Sequence, residues 1–546
     1  MGEGTAARRC LGIAGLICAA VAAAWSAAPA ATRTQTHVDV PATRMIVAPR
    51  ISTAQRLHPA KSRLFDCQSK PLGSGLRCYS PQQIQQAYGY SGLLASGVNG
   101  KKRTIVIVDA FHDPYLEHDL KIQDKTFKLP DAHLEVVAPQ GVPAFDPNNQ
   151  NMDGWVFETT LDVLWAHAMA PGADILLVES KSDSDVDMLA ATKWAIDNHA
   201  GDVISQSFGE AEQCASPSLL AQEHALFQKA VSEGITLVAS TGDSGAAQFN
   251  CDGTAPILAV GTPASDPLVT SVGGTTLNAD DPAGNYVSET AWTEPLYHCS
   301  PPDDNDTGCS GGGFSTIYGT PAYQQGLGPS RGLPDVAFNA GSDGGYLIHC
   351  GLCNILFANA SPNDPKVFFT IGGTSAGSPQ WAALAADAQQ LAGHPLGNIN
   401  PTLYQLAAAD FHDITTGTNR VADLGGKGYD ARPGWDAVTG LGTPNAANLL
   451  PALGASCWSG TIDGPLEIDN GQSLCILPGT TITGPLEVSG APSVNITGAT
   501  ITGPVTISNC GAVEFDNNTV TGSLTFKHDA SVHQSGNQVS GRVKIS

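Results

Sequence analysis

Gly372-Gly373-Thr374-Ser375-Ala376-Gly377-Ser378-Pro379 runs directly into Trp381-Ala382-Ala383-Leu384-Ala385-Ala386, a strong helix-forming run. The junction places Ser375 at a helix N-terminus, where unpaired N–H groups and the helix dipole favour developing negative charge. The glycines ahead of it let another backbone come close. Thr374 or Ser375 could equally serve as a plain helix cap, since Ser and Thr are preferred there. A chemical role needs a partner, because a serine hydroxyl is a weak nucleophile until a neighbouring base takes its proton.

The histidine form of that partnership finds no support, as His-Gly occurs nowhere in the chain. Gly242-Asp243-Ser244-Gly245 echoes the nucleophile motif of certain all-β proteases. However, Ile235 to Ser240 reads as a buried strand within alternating strands and helices, which is an α/β pattern. A carboxylate partner fits better. Phe157, Leu161, Leu164 and Ala168 fall at i, i+4, i+7 and i+11 and predict one apolar helix face, with Glu158 and Asp162 together on the adjoining stripe. As an exposed acidic stripe the pair would be unremarkable, costing roughly 0.2–0.5 kcal/mol in repulsion. The segment around it is instead apolar, from Val163-Leu164-Trp165 to Ala170-Pro171-Gly172-Ala173. In such a setting one carboxyl keeps its proton to higher pH than the other, and the pair can relay a proton.

Together these stretches resemble the sedolisin family of serine-carboxyl peptidases, and further matches follow in that family's order between Cys78 and Leu450. Tyr79-Ser80-Pro81 with Ala87-Tyr88 comes first, then the strand Thr104 to Asp109, then Glu158 to Asp162. Ser240 to Gly245, Pro263 to Pro267 and Val272 to Thr275 come next. Glu289 to Trp292, Gly311 to Ser315, Arg331 to Asp335 and Gly372 to Pro379 complete the series. The resemblance implies an α/β fold with a subtilisin-like, mostly parallel sheet flanked by helices. It also implies roles: Ser375 as nucleophile, Glu158 as general base and then acid, Asp162 orienting Glu158, and Asp243 stabilising the oxyanion. A carboxyl donates a hydrogen bond only while protonated, and a carboxylate base still functions where an imidazole would be protonated, so mechanism and acidic optimum form one expectation.

The same resemblance implies calcium. Phe411 to Ile414 and Arg432 to Gly440 are similar to the family's ion loop, which assigns the ion to the Asp413 and Asp436 side chains and the carbonyls of Ile414, Arg432 and Gly434. That is the oxygen set a hard cation takes. Arg432 stands where relatives often carry glycine. Without the resemblance the segment is a Gly-rich turn with aspartates. Phe208, at the end of Ser205-Gln206-Ser207-Phe208-Gly209, stands where relatives often carry Trp, and it has no N–H with which to orient the carboxylates.

The 546-residue chain has room for two or three domains. Charged residues make up 14%, and 51 acidic against 27 basic side chains leave a net charge of −24. That balance argues against nucleic acid as a partner. Scarce ion pairs suit acid tolerance, since protonating carboxylates then breaks fewer contacts; a generic acidic secreted surface would look the same. Arg8 and Arg9, the apolar run Leu11 to Ala24 and the small-residue site Ala28-Pro29-Ala30 predict a secretory signal over 1–31. Once it is cleaved, no membrane attachment is expected. Residues 32–77 read as a short propeptide-like or linker segment, leaving regulation to pH alone or to a short extended tail. Residues 78–454 read as the peptidase domain.

Eleven cysteines follow the signal. Cys67 with Cys78, Cys214 with Cys251 and Cys299 with Cys309 are expected disulfides of an oxidising compartment, Cys350-Gly351-Leu352-Cys353 a tight loop disulfide, and one thiol must stay free. Over 455–546 a phrase recurs: Thr461-Ile462-Asp463-Gly464-Pro465, Thr481-Ile482-Thr483-Gly484-Pro485 and Thr500-Ile501-Thr502-Gly503-Pro504, with weaker copies at Gly522 and Gly541. The glycines are spaced 20, 19, 19 and 19 residues apart, which predicts one coil of a β-solenoid per repeat. Its flat surface could contact a cell wall, glycan or protein, or it could be a passive stalk. The composite expectation is a secreted acid endopeptidase acting on proteins. The alternative is a non-catalytic surface- or glycan-binding protein that works through its repeats.

Overall fold

Ile105 and Ile107 pack on one side of the strand Thr104–Ala110 (β1) and Val106 and Val108 on the other. Apolarity on both faces marks a strand covered by helices above and below. The computed structural model describes residues 65–546 apart from 76, 295–298, 300–307, 407, 455–457, 459, 469–473, 477 and 492, together with two short backbone strands, Arg50–Ile51 and Gln55–Arg56. The chain divides into Met1–Pro41 and Ala42–Ser546. The expected signal lies outside the described residues, as does most of 32–64.

Around β1 the sheet continues with His133–Val137 (β2), Asp174–Ser180 (β3), Val203–Gln206 (β4), Thr236–Ser240 (β5), Thr270–Ala279 (β6), Tyr286–Ala291 (β7) and Val336–Asn339 (β8). The spatial order is β7-β6-β5-β4-β1-β3-β2, with β8 also paired to β6. Every pairing is parallel except β6 with β7. Helices Gln150–Met169 (α1) and Gly377–Ala392 (α4) cover one face, and Asp185–Asp197 (α2) and Pro217–Ser232 (α3) cover the other. This is the expected α/β architecture.

α1 departs from the sequence expectation in one respect. A single apolar face was predicted, yet from Trp155 to Met169 all but one residue is buried, and Phe157 of the expected face is that exception. The helix is enclosed by β1, α4 and a second, smaller sheet of Cys78–Tyr79, Gly345–Ile348 and Val367–Gly372, so the Glu158 stripe is interior. The strands Arg50–Ile51 and Gln55–Arg56 pair antiparallel with Val367–Gly372, which leads into the Ser375 turn.

In the repeat region three parallel sheets form, each strand pairing with its counterpart in the next repeat. One row runs Thr461, Thr481, Thr500, Thr519, Gln538, and another runs Leu466, Leu486, Val505, Leu524, Val543. Inward residues such as Ile496, Phe515 and Phe526 form a core of their own. The repeating glycine follows from close stacking: a Cβ on Gly503 would lie 2.5 Å from the Pro485 nitrogen of the previous repeat. Cys67–Cys78, Cys214–Cys251, Cys299–Cys309 and Cys350–Cys353 are disulfides, and the odd thiol is the buried Cys510. Among the described residues no helix is long and apolar enough to cross a membrane.

Candidate active site

Ser375 lies in a single 3-10 turn, Thr374–Ala376, one turn ahead of α4 rather than in the helix itself. The turn follows Gly373, whose φ of +127° is in the region that favours glycine. Ser375 is nearly buried, and its hydroxyl donates to the Ser207 carbonyl at 3.4 Å, while the Ser207 hydroxyl donates to the Ser375 carbonyl at 3.3 Å. The loop after β4 is thereby fastened to the Ser375 turn.

Glu158 and Asp162 are completely buried on α1 beside this turn. Burial, then the charge of Asp109, pushes Glu158 well above the usual carboxyl range, and the nearby Ser375 hydroxyl draws it back. Burial, then the charge of Glu158, does the same to Asp162, with the Ser207 hydroxyl opposing. Neither carboxyl has a partner at close hydrogen-bond geometry, a looseness common in substrate-free sites. Asp162 thus feels the charge of Glu158, its i, i+4 neighbour on α1.

Asp243 reaches the same turn from the loop after β5. Its Oδ1 accepts from the Thr374 N–H at 2.8 Å and from the Thr374 hydroxyl at 2.7 Å, and that hydroxyl in turn accepts from the Gly242 N–H at 3.0 Å. Ser207, Phe208, Gly242, Asp243, Thr374 and Ser375 line one cleft. Ser375, Glu158, Asp162 and Asp243, distant in sequence, therefore converge.

The sequence reading missed two participants. Asp109, one residue from the end of β1, is buried and acts on both Glu158 and Asp162; burial raises it to about 7. Strand alternation from Ile105 and Ile107 puts it on the α1 side, and that was the available signal. Thr374 holds Asp243, a role its neighbourhood in sequence did not announce.

A family model described as the subtilase family, Peptidase S8, matches residues 144–434. Kumamolisin of Bacillus sp. (strain MN-32) is 35% identical over 390 residues, covering 69% of this chain and 63% of that protein. The chain belongs to the subtilase family, on its sedolisin branch. Sedolisin of Pseudomonas sp. (strain 101) is 31% identical over 284 residues, covering 50% of this chain and 44% of its own. Human tripeptidyl-peptidase 1 is 31% identical over 272 residues, covering 45% and 42%. The chain thus spans less than two thirds of the length of these relatives. A solved structure of Pseudomonas sedolisin, a serine-carboxyl proteinase complexed with two molecules of pseudo-iodotyrostatin, superposes with a TM-score of 0.57 at 27% identity, covering 68% of this chain and 97% of that one.

At the expected ion loop of this sedolisin-branch chain, Asp413 is exposed and its Oδ2 accepts from the Gly434 N–H at 3.0 Å. Asp436 is buried; its Oδ2 accepts from the Arg432 N–H at 2.9 Å, and its Oδ1 from the N–H groups of Val438 and Thr439. Among the described residues no three His, Cys, Asp or Glu side chains cluster as a metal nest. Asp413 and Asp436 thus each accept from main-chain N–H groups of the 432–439 turn.

Proposed function

We propose that the chain is a secreted serine-carboxyl endopeptidase that hydrolyses peptide bonds of proteins in acid. The observation that carries this reading is the burial of Ser375, Glu158 and Asp162 together, a serine hydroxyl beside two carboxyls that burial holds towards their neutral form. Ser375 attacks the scissile carbonyl while Glu158 takes its proton. Glu158 returns that proton to the leaving amine, and Asp162 orients Glu158 and shares its charge. Asp243, with Oδ1 already engaged by Thr374, donates from its acid form to the oxyanion. Water then repeats the sequence on the acyl-enzyme. Four disulfides among the described residues support an oxidising, extracellular compartment.

Release of soluble fragments from an unfolded protein, followed across roughly pH 2 to 8 to bracket carboxyl and imidazole ionisation, tests the reading. Cleavage is expected to rise in acid and fade towards neutrality, with products that show internal cuts. A neutral optimum would sink the carboxylate-base mechanism, and removal of short N-terminal pieces alone would sink endopeptidase action.

We also place a calcium ion at the 413–436 loop. The donor chemistry fits, with two carboxylates and main-chain carbonyls providing hard oxygen ligands. Burial pushes the Asp436 carboxyl up, an unfavourable state that a bound cation would relieve. The ion would be held by the side chains of Asp413 and Asp436 and the carbonyls of Ile414, Arg432 and Gly434, and its contribution is to fix this loop. Chelation is expected to lower Tm by roughly 5–10 °C, the effect of losing a ligand present far above its Kd. Added calcium should restore the parent but not Asp413→Asn. A Tm indifferent to chelator would remove calcium from the account.

A further inference from the structure

The line of buried acids does not end at the catalytic pair. Along β3, Ile175 and Leu177 face α1 as Ile105 and Ile107 do on β1, and Glu179 follows them as Asp109 follows its own pair. Asp109 and Glu179 are register partners on these adjacent parallel strands, so their side chains stand side by side across a spacing of about 4.8 Å. Asp109 is 1% exposed and Glu179 4%. Beyond them, His112 Nδ1 lies 2.7 Å from Glu179 Oε1, and the His112 side chain is 45% exposed. His112 opens onto a surface pocket that shares no lining residue with the Ser375 cleft.

The turn presenting His112 is unusual. Phe111, buried and bulky, has φ of +66°, and its N–H donates to the Ser180 carbonyl at 2.9 Å. A left-handed conformation at such a residue is strained, and it persists where the surroundings over-determine it, commonly at functional sites.

We propose that Glu179 and His112 are positioning residues that couple the catalytic carboxyls, through Asp109, to the solvent. The inference rests on the peptidase reading above. His112 draws Glu179 towards its ionised form, against the effect of burial. The Glu179 charge in turn opposes ionisation of Asp109. Asp109 acts on Glu158, and an ionised Asp109 would keep Glu158 protonated and unable to act as a base. The groups facing this line are few. Glu158 and Asp162 face Asp109 from α1. Asp113 faces Glu179 and is itself held by the Thr160 hydroxyl at 3.0 Å and the Tyr115 N–H at 2.8 Å. Glu117, His118 and Lys121 share the outer pocket with His112.

The test is the pH profile of kcat/KM on one peptide substrate for the parent, His112→Gln, Glu179→Gln and the double variant. Glu179→Gln removes the charge that opposes Asp109 ionisation, and His112→Gln takes away the group that holds Glu179 towards its charged form. Each is therefore expected to move the high-pH flank towards acid by roughly 0.5–1 unit, a 3- to 10-fold loss on that flank, with the acid flank in place. The double variant should shift no further than Glu179→Gln. If Glu179→Gln does not fold, the half-exposed His112→Gln reads the coupling alone. Flanks that coincide with the parent, or a loss equal at every pH, would overturn the coupling and leave the peptidase reading intact. Absence of Ser375-dependent hydrolysis in the parent would overturn both.

Discussion

Ser375→Ala is expected to reduce kcat for peptide-bond hydrolysis by roughly 10⁶-fold, the scale on which an activated serine contributes when base and nucleophile act as one unit. The variant should fold normally, because the Ser375 hydroxyl makes a long 3.4 Å bond to the Ser207 carbonyl and a loose contact with Glu158, and removing it leaves the turn's main-chain bonds in place. Its KM for a peptide should stay near the parent's if the oxygen contributes to the transition state rather than to binding. Steady-state kinetics at the acid optimum measures both numbers. Hydrolysis within a hundredfold of the parent would mean that another group supplies the nucleophile.

Glu158→Gln is the second large effect, a fall in kcat/KM of roughly 10³–10⁴-fold, the contribution of a positioned general base. Gln keeps the shape but cannot take a proton, so no change of pH should rescue it. Its effect on stability runs the other way. Glu158 is raised by burial, so the folded protein holds this proton more tightly than the unfolded chain. Its stabilising share is therefore present below the unfolded carboxyl pKa of about 4 and is lost as pH rises through the raised folded value. The neutral amide carries no such penalty. Glu158→Gln should gain Tm relative to the parent as pH is raised, while losing activity at every pH. A variant that is both less active and less stable at neutral pH would mark Glu158 as a structural group.

Much of the site was legible because its chemistry sits in compact motifs. The Ser375 turn and the Glu158/Asp162 spacing each carried a local signal, and Asp243 came from the family resemblance, so the structure had only to bring them together. Asp109 carried only the alternation of its strand, and Glu179 and His112 carried no local motif. Strand alternation tells which residues share a face, but not which helix covers that face or which strand lies alongside, and the Asp109–Glu179 pairing depends on β1 meeting β3 in register. The left-handed Phe111 that delivers His112 is equally silent, since nothing in a buried aromatic announces a positive φ. The same limit explains α1: its periodicity suggested one covered face, and only the second sheet packed on the other side made it an interior helix. The repeats were legible in period because stacked glycines impose one, whereas the arrangement of strands within each repeat required long-range pairing.

The most direct test of the central claim is to quench the protein in acid during turnover of a peptide ester and locate the acyl group by mass spectrometry of its fragments. An acyl adduct on Ser375 is expected in the parent, accumulating little in Glu158→Gln and absent in Ser375→Ala. An adduct on any other residue, or continued hydrolysis by Ser375→Ala with no adduct at all, would contradict it.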